Sequence, residues 1–440
     1  MMTPGVGALW LMHRFSKREK ELRRHTDKWL DRWLSTTADL ARLQYGHRMV
    51  DAVIDEQRGR DIRIGDHWLA DFASCNYLGF DLDPEIIEAI PEYLERWGTH
   101  PSWSRLLGSP VLYEQIEEEL TELLGCGDTL LLPTITHIHM AVIPVLAGEG
   151  TIFLDGRAHK TIYDGAMAAK SHGADVIRFP HEDADELERL LRERHDGPLL
   201  ICMDGVNSMT GNAPDLARFA DLAREHDAIL YVDDAHGFGV IGERRPDELV
   251  PYGSRGNSIV RHLGESYHNV ILVGGFSKAY SSLMAFVACP SDLKQILKTA
   301  APPYLYSGPS PVASLATVLE GMRVNRERGD EIRADLHRKT RRVLDHLDEI
   351  GLSSLNQSGF PIVEVPIGDP GRIDEIGDYL FDSGIYVTIA AYPLVPRDEV
   401  GFRIQLTAAN PERHVDHLLD VLTGLAKRLR AHERESAPAA

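Results

Sequence analysis

Cysteine is scarce in this sequence: four residues, at 75, 126, 202 and 289, are too few and too scattered for a disulfide framework or a spaced zinc site. That usage fits a reducing cytoplasm. No stretch approaches the roughly 20 consecutive apolar residues of a membrane-crossing helix, so no membrane span is expected. The apolar stretch near the start, Val6 to Met12, runs straight into His13, Arg14, Lys17 and Arg18, the reverse of a secretory leader's basic-then-apolar order. Positive charge is also short. Against 67 acidic side chains there are 47 basic ones, and the formal charge of −20 repels phosphate backbones and anionic lipid, so nucleic acid is not an expected partner. What is present is a globular composition, 43% hydrophobic and 26% charged over 440 residues. It can close one large α/β core or two smaller ones, and it excludes a disordered or fibrous chain.

From Phe15 to Leu43 the chain is strongly charged, with Leu22, Trp29, Leu30, Trp33 and Leu40 at helical spacings. This is the pattern of an amphipathic helix that docks on another part of the fold or on another subunit. Between Thr151 and Phe276 short apolar runs, Thr151–Asp155, Leu199–Met203, Ile229–Val232 and Val270–Val273, alternate with amphipathic segments. The alternation predicts a mostly parallel sheet with crossover helices. Pro214 to His226 is one such crossover, with Leu216, Phe219, Leu222 and Ala223 on one face and a proline at its first helical position. After the turn-rich Ser307–Pro311 the character shifts to two charged helical stretches, 312–324 and 329–350, and then to an α+β unit ending near Arg430. The sequence thus divides into an N-terminal helical segment (1–65), a large domain (66–310), a smaller α+β domain (311–430) and a disordered tail (431–440).

In open parallel sheets functional groups gather beyond the carboxyl ends of the strands. Here the four runs lead to His159, to Asp204 and Ser208, to Asp233, Asp234 and His236, and to Ser277 and Lys278. All four aim at one crevice. A single lysine is by default a snorkelling surface cation. Lys278, however, follows an apolar strand within Gly274-Gly-Phe-Ser277, whose small residues permit close backbone approach to a bound group. The run Val232-Asp-Asp-Ala-His236 admits two readings. Its carboxylates and imidazole can hold a divalent metal, with Thr136-His-Ile-His139 adding ligands, although two satisfied histidines at a helix start are the plainer account of that segment. Alternatively one acid holds a proton on an organic cofactor, the histidine orients it, and a lysine from the next strand forms a Schiff base.

A set of blocks favours the second reading. Asn76-Tyr-Leu-Gly-Phe80, Ser104-Arg-Leu-Leu107, Asp155-Gly-Arg-Ala-His159, Asp204-Gly-Val-Asn-Ser-Met-Thr-Gly211, Val232–His236, Ser277-Lys278 and Phe402-Arg-Ile-Gln-Leu406 stand in one order from about Asp71 to about Leu422. In that order and spacing the chain resembles the α-oxoamine synthases, fold-type I (aspartate aminotransferase-like) enzymes dependent on pyridoxal phosphate. The resemblance implies a large cofactor-binding domain and a smaller α+β one. It also implies Lys278 as the Schiff-base lysine, Asp233 as the acid on the pyridine nitrogen, His236 as partner of the ring hydroxyl and His159 as the imidazole stacked on the ring. Ser208 lies in the block lining that ring. Arg403 resembles the receptor of the amino-acid carboxylate, and Ser307 and Gly308 resemble the pair that reaches the cofactor phosphate from a neighbouring subunit, which implies a homodimer with shared sites. The implied reaction is decarboxylative condensation of an amino acid with an acyl thioester, on coenzyme A or an acyl-carrier protein. No metal is part of it.

Departures from the family pattern mark the substrate end. Cys75, beside Asn76, stands where synthases acting on glycine or alanine place asparagine against the substrate carboxylate, which is closer to the serine palmitoyltransferase branch. Thr134-Ile135-Thr136 replaces a Ser-Gly-aromatic phosphate turn but keeps hydroxyls able to bind an oxyanion. Tyr280–Phe286 replaces a glycine-rich stretch and reshapes the entrance for the acyl group. The insertion from about Arg244 to His268 reads as a lid or partner surface, and the basic stretch Arg14 to Arg24 as a solvated helix face or a patch for an acidic carrier protein. The alternatives are an aminotransferase of the same fold, a non-catalytic scaffold subunit, and a metal-dependent hydrolase built on Asp233, Asp234 and His236.

Overall fold

The computed structural model describes residues 42–44, 46–194 and 197–436. The helix expected from Phe15 to Leu43 lies outside these residues except at Arg42 and Leu43, as does the stretch Arg14 to Arg24. Within the segment read as helical up to residue 65 the structure instead forms strands. β1 (Glu56–Arg58), β2 (Asp61–Ile64) and β3 (His67–Asp71) make an antiparallel meander whose two tight turns carry Gly59 and Gly65 at positive φ, where a side chain is strained.

The centre is a seven-stranded sheet built from β4 (Asp128–Leu132), β5 (Thr151–Asp155), β6 (Asp175–Phe179), β7 (Leu199–Asp204), β8 (Ile229–Asp233), β9 (Val270–Gly275) and β10 (Ala285–Cys289). Its spatial order is β4-β10-β9-β8-β7-β5-β6. The strands from β9 to β6 are parallel, as the alternation predicts, while β10 runs antiparallel to both its neighbours. Period-two side chains divide between two apolar clusters: Phe153, Ile201, Met203, Leu230 and Val232 face one, Ile152, Leu154, Leu200, Cys202 and Tyr231 the other. Both faces are covered, which is why these strands read as continuous apolar runs and not as alternation. The crossover helix is Leu216–Glu225, capped by the Asp215 side chain, so Pro214 precedes the helix and does not open it. Its predicted apolar face, Leu216, Phe219, Leu222 and Ala223, is buried.

A smaller antiparallel sheet, β11 (Ile362–Pro366), β13 (Thr388–Ala390) and β14 (Gly401–Gln405), has the order β11-β14-β13, and β12 (Ile385–Tyr386) extends the meander by pairing with β3. Backbone bonds from Gln405 to Phe72 (2.8 Å) and from Ala408 to Tyr77 (2.7 Å) bring β14 beside the loop that carries Cys75 and Asn76. The stretches 312–324 and 329–350 are one helix, Val312–Glu349, and the final helix, Glu412–Ser436, runs through residues read as tail. The architecture is α/β, a large mixed sheet with a smaller α+β unit.

Candidate active site

The carboxyl ends of β5, β7, β8 and β9 converge as expected. His159, Asp204, Ser208, Asp233, His236 and Lys278 line one cleft, with Ile135 from the start of the helix Ile135–Ala147. Asp233, the last residue of β8, and Asp234, the next in the chain, point to opposite sides. Asp233 faces the cleft. Asp234 is buried on the other side, where it accepts the Ile259 N–H at 2.9 Å, and burial pushes its pKa well up. Asp233, Asp234 and His236 therefore do not converge on one cation, and among the described residues no three His, Cys, Asp or Glu side chains do.

Asp233 is held from two sides. Its Oδ1 accepts the Ala235 N–H at 2.9 Å, and its Oδ2 lies 3.0 Å from Nε2 of His139, whose Nδ1 lies 2.8 Å from the Tyr231 hydroxyl. A carboxylate only accepts, so Nε2 carries the proton. Tyr231, at the other ring nitrogen, is a buried phenol whose pKa is well raised and which keeps its proton. Burial alone drives the pKa of Asp233 up, but the His139 hydrogen bond, the cation at Lys278 and the Ala235 N–H outweigh it and leave the carboxyl below its usual value. Asp204 next to it goes the other way, raised well above by burial and by the charge on Asp233. One acid stays an anion at the price of the other's proton.

Burial lowers the pKa of Lys278, against the opposing pull of Asp233, Cys75 and Asp204, so its amine loses a proton more readily than a surface lysine does. His236 is pushed well below its usual pKa by burial and then by Lys278 and Arg403, and it stays neutral. With the buried Tyr77 hydroxyl donating to its Nδ1 at 2.8 Å, its Nε2–H is the donor left for a partner in the cleft. His159 caps the helix Lys160–Ser171 at the open mouth, and its backbone N–H binds Asp204 at 3.1 Å. Thr134 caps Ile135–Ala147 through its hydroxyl, so the free amides of that helix face the end of β9. Gly275 adjoins both Ile135 and Ser277 there. Ile135, at the start of that helix, lines the cleft together with the Asp233 carboxylate and the Lys278 amine, and these residues fit a phosphorylated pyridine aldehyde.

Comparison with known proteins gives the family. The model of the family described as aminotransferase class I and II matches residues 69–422. The chain belongs to that family. It is similar to the 8-amino-7-oxononanoate synthase of Ectopseudomonas mendocina, at 34% identity over 84% of this chain and 92% of the relative. It is likewise similar to that of Coprothermobacter proteolyticus, at 30% over 86% and 93%. Among solved structures, Sphingomonas wittichii serine palmitoyltransferase superposes with a TM-score of 0.81 at 25% identity, covering 89% of this chain and 96% of the other. Within the aminotransferase class I and II family the chain is thus a fold-type I enzyme of the α-oxoamine synthase kind, and one solved serine palmitoyltransferase of the same fold, at 23% identity and a TM-score of 0.80, carries pyridoxal phosphate as an internal aldimine.

Against the family pattern, several residues sit differently from expectation. Gly274 does not open the cleft to a bound group, because a Cβ there would lie 2.3 Å from the Phe286 ring, which fills that space. Tyr280, Met284 and Phe286 belong to the buried core beside Phe238 and Phe276 and do not border an entrance; Leu283 alone of the apolar residues there is exposed. Asn76 gives its amide to Asp81 (2.9 Å), which also takes a two-pronged bond from the buried Arg60 (2.6 and 2.7 Å), so its side chain braces the loop. Cys75 is half-buried and donates to Gln405 Oε1 at 2.6 Å. Arg403, on β14, donates to the carbonyl of the cleft residue Ser208 and lies 3.4 Å from Met209 Sδ. Ser307 and Gly308, in the turn after the helix Pro302–Tyr306, do not line the cleft of their own chain. The segment 244–268 packs on the long helix, through Arg255 to Asp330 and Asn325, and lines none of the cleft, so it is no lid over these residues. Tyr77 joins the site without having been assigned to it, Asp204 was aimed at the crevice but given no role, and His139, weighed only as a metal ligand or a satisfied histidine, proves to be a partner of Asp233. The signal for His139 was its place at a buried helix start.

Proposed function

We propose that this protein condenses an amino acid with an acyl thioester: the α-carbon bonds to the thioester carbonyl, the thiol leaves, and the carboxylate departs as carbon dioxide, giving an α-amino ketone. The observation that carries this reading is the pairing, across one cleft, of a carboxylate kept ionised by His139 and Ala235 with a lysine of lowered pKa. Pyridoxal phosphate, when bound, supplies the electron sink that such a carbanion needs. Lys278 tethers it, and the same amine is placed to take the proton from the substrate carbon. Asp233 keeps a positive charge on the ring nitrogen, His236 donates from Nε2 to the ring oxygen, and His159 and Ser208 cover the ring. Thr134, Ile135, Thr136 and Ser277 hold the phosphate, completed by Ser307 and Gly308 of a second copy. Arg403 receives the substrate carboxylate, a task suited to a planar two-pronged donor, and Cys75 forms part of the wall next to it.

The test incubates cofactor-loaded protein with mixed amino acids and a panel of acyl thioesters, and follows free thiol, carbon dioxide and product masses together. Coupled release of thiol and carbon dioxide supports condensation and reveals both substrates. A keto acid without either release establishes amino-group transfer instead. In Lys278→Ala, turnover is lost while the fold is kept; normal turnover in that variant overturns the cofactor assignment.

A further inference from the structure

Glu364 lies in the middle of β11, opposite Arg403 of β14 in the antiparallel register, so both side chains leave the same face of the small sheet. The glutamate is fully buried, yet neither carboxylate oxygen has a hydrogen-bond partner. The charged groups acting on it come from three elements: Arg403 on β14, Arg157 in the loop after β5, and Glu399 in the short turn Arg397–Glu399. Arg157 and Glu399 bind each other in a two-pronged pair, 2.7 and 3.0 Å. Arg403 gives one nitrogen to the Ser208 carbonyl, while its Nε is buried without a partner. A buried carboxylate left unpaired is costly and tends to neutralise itself. Its natural counter-charge is Arg403, the same group that would receive the substrate carboxylate. One cation thus faces two anions.

We propose that Glu364 is a proton-linked positioning residue for Arg403: it is ionised against the guanidinium when the site is free and takes a proton from solvent when a substrate carboxylate occupies that guanidinium. The inference rests on Arg403 as the carboxylate receptor. Burial and Glu399 raise the pKa of Glu364, Arg403 and Arg157 draw it back, and it stands at about 7, so the exchange falls near neutral pH. A second anion on Arg403 pushes it higher still. Below that point Glu364 is already neutral and carboxylate affinity is flat. Above it each bound carboxylate brings one proton, and affinity falls about tenfold per pH unit.

The probe is propanoate, which has no amine to exchange protons, titrated into the holoenzyme with binding heats measured in buffers of differing ionisation enthalpy. Wild type should take up part of a proton, up to one, on binding at pH 8, its dissociation constant rising by up to about tenfold per unit above pH 7. In Glu364→Gln the dissociation constant should be flat over that range and the uptake gone. Absence of uptake in wild type, which needs no variant, overturns the proposal. So does a shared pH profile in wild type and Glu364→Gln, and if Arg403→Met abolishes binding in that case, the receptor reading stands alone. Unchanged propanoate affinity in Arg403→Met overturns the receptor reading and this inference with it.

Discussion

The charge on Asp233 depends on a residue 94 positions away in the chain. Replacing His139 by Leu leaves the carboxylate with the Ala235 N–H alone, and burial then raises its pKa. Each unit of that rise is worth about 1.4 kcal/mol, so kcat should fall by up to about tenfold per unit, and the acidic limb of its pH profile should shift upward; an unchanged profile would mean the ring proton is held elsewhere. Asp233→Asn, which removes the charge outright, should cost several kcal/mol in barrier, on the order of other lost electrostatic stabilisers. Glu364 gives a stability test of the opposite sign. Its pKa is raised on folding, so its favourable contribution is complete below the unfolded value near 4.5 and is lost as pH rises to about 7. The stability of Glu364→Gln relative to wild type should therefore grow by about 1.4 kcal/mol per pH unit between pH 5 and 7 and level off above, as read from chemical denaturation. These residues also show what a sequence conceals. Asp233, His236 and Lys278 announce themselves because each closes an apolar strand. His139 and Glu364 look like ordinary members of a helix and a strand until folding sets Asp233 and Arg403 beside them.

At the scale of elements, β5, β7, β8 and β9 were legible because both faces of each are buried, whereas β6, the edge strand Asp175–Phe179, carries two charged side chains in five residues and gives no such signal. The long helix misled for a related reason. The charged run Asn325-Arg-Glu-Arg with Gly329 resembles a break, yet Asn325, Gly329 and Arg333 fall at helical spacing on one buried face. Arg333 donates to Asn325 Oδ1 at 2.7 Å and to the Gly239 carbonyl at 3.1 Å, fixing the helix to the loop after β8. Gly329 makes room for this, since a Cβ there would lie 2.3 Å from Asn325 Oδ1 and 2.9 Å from Arg333 Nη2. In an exposed helix Gly→Ala stabilises by about 1 kcal/mol. Here Gly329→Ala should destabilise by about 1–3 kcal/mol through overpacking, a reversal of sign measurable as a lowered denaturation midpoint at unchanged slope.

At the scale of the whole molecule, the proposed role of Ser307 and Gly308 on the phosphate requires a second copy. Ser307 and Gly308 stand away from their own cleft, in a turn that the loop 99–108 holds in place: the Thr99 carbonyl accepts from Val312 N at 3.0 Å, and His100 Nε2 lies 2.9 Å from the Pro309 carbonyl. Around them Trp103, Leu106, Leu107 and Tyr306 are 55%, 59%, 80% and 80% exposed. Large apolar side chains gathered on one surface mark an interface, and a two-fold axis through this patch would carry each Ser307-Gly308 pair toward the opposite cleft. Gly308→Glu tests the arrangement, because a Cβ at 308 meets nothing nearer than His100 at 3.5 Å, so the fold tolerates a side chain there while an added anion opposes phosphate. Lys278→Ala and Gly308→Glu homodimers should each be inactive. Unfolded together and refolded as a mixture, half of the pairs should be mixed, and each mixed pair should hold one cleft bearing both substitutions and one bearing neither. About a quarter of wild-type activity should return. If the mixture stays as inactive as its parents, each cleft is completed within one chain, and the exposed apolar patch must serve some other contact.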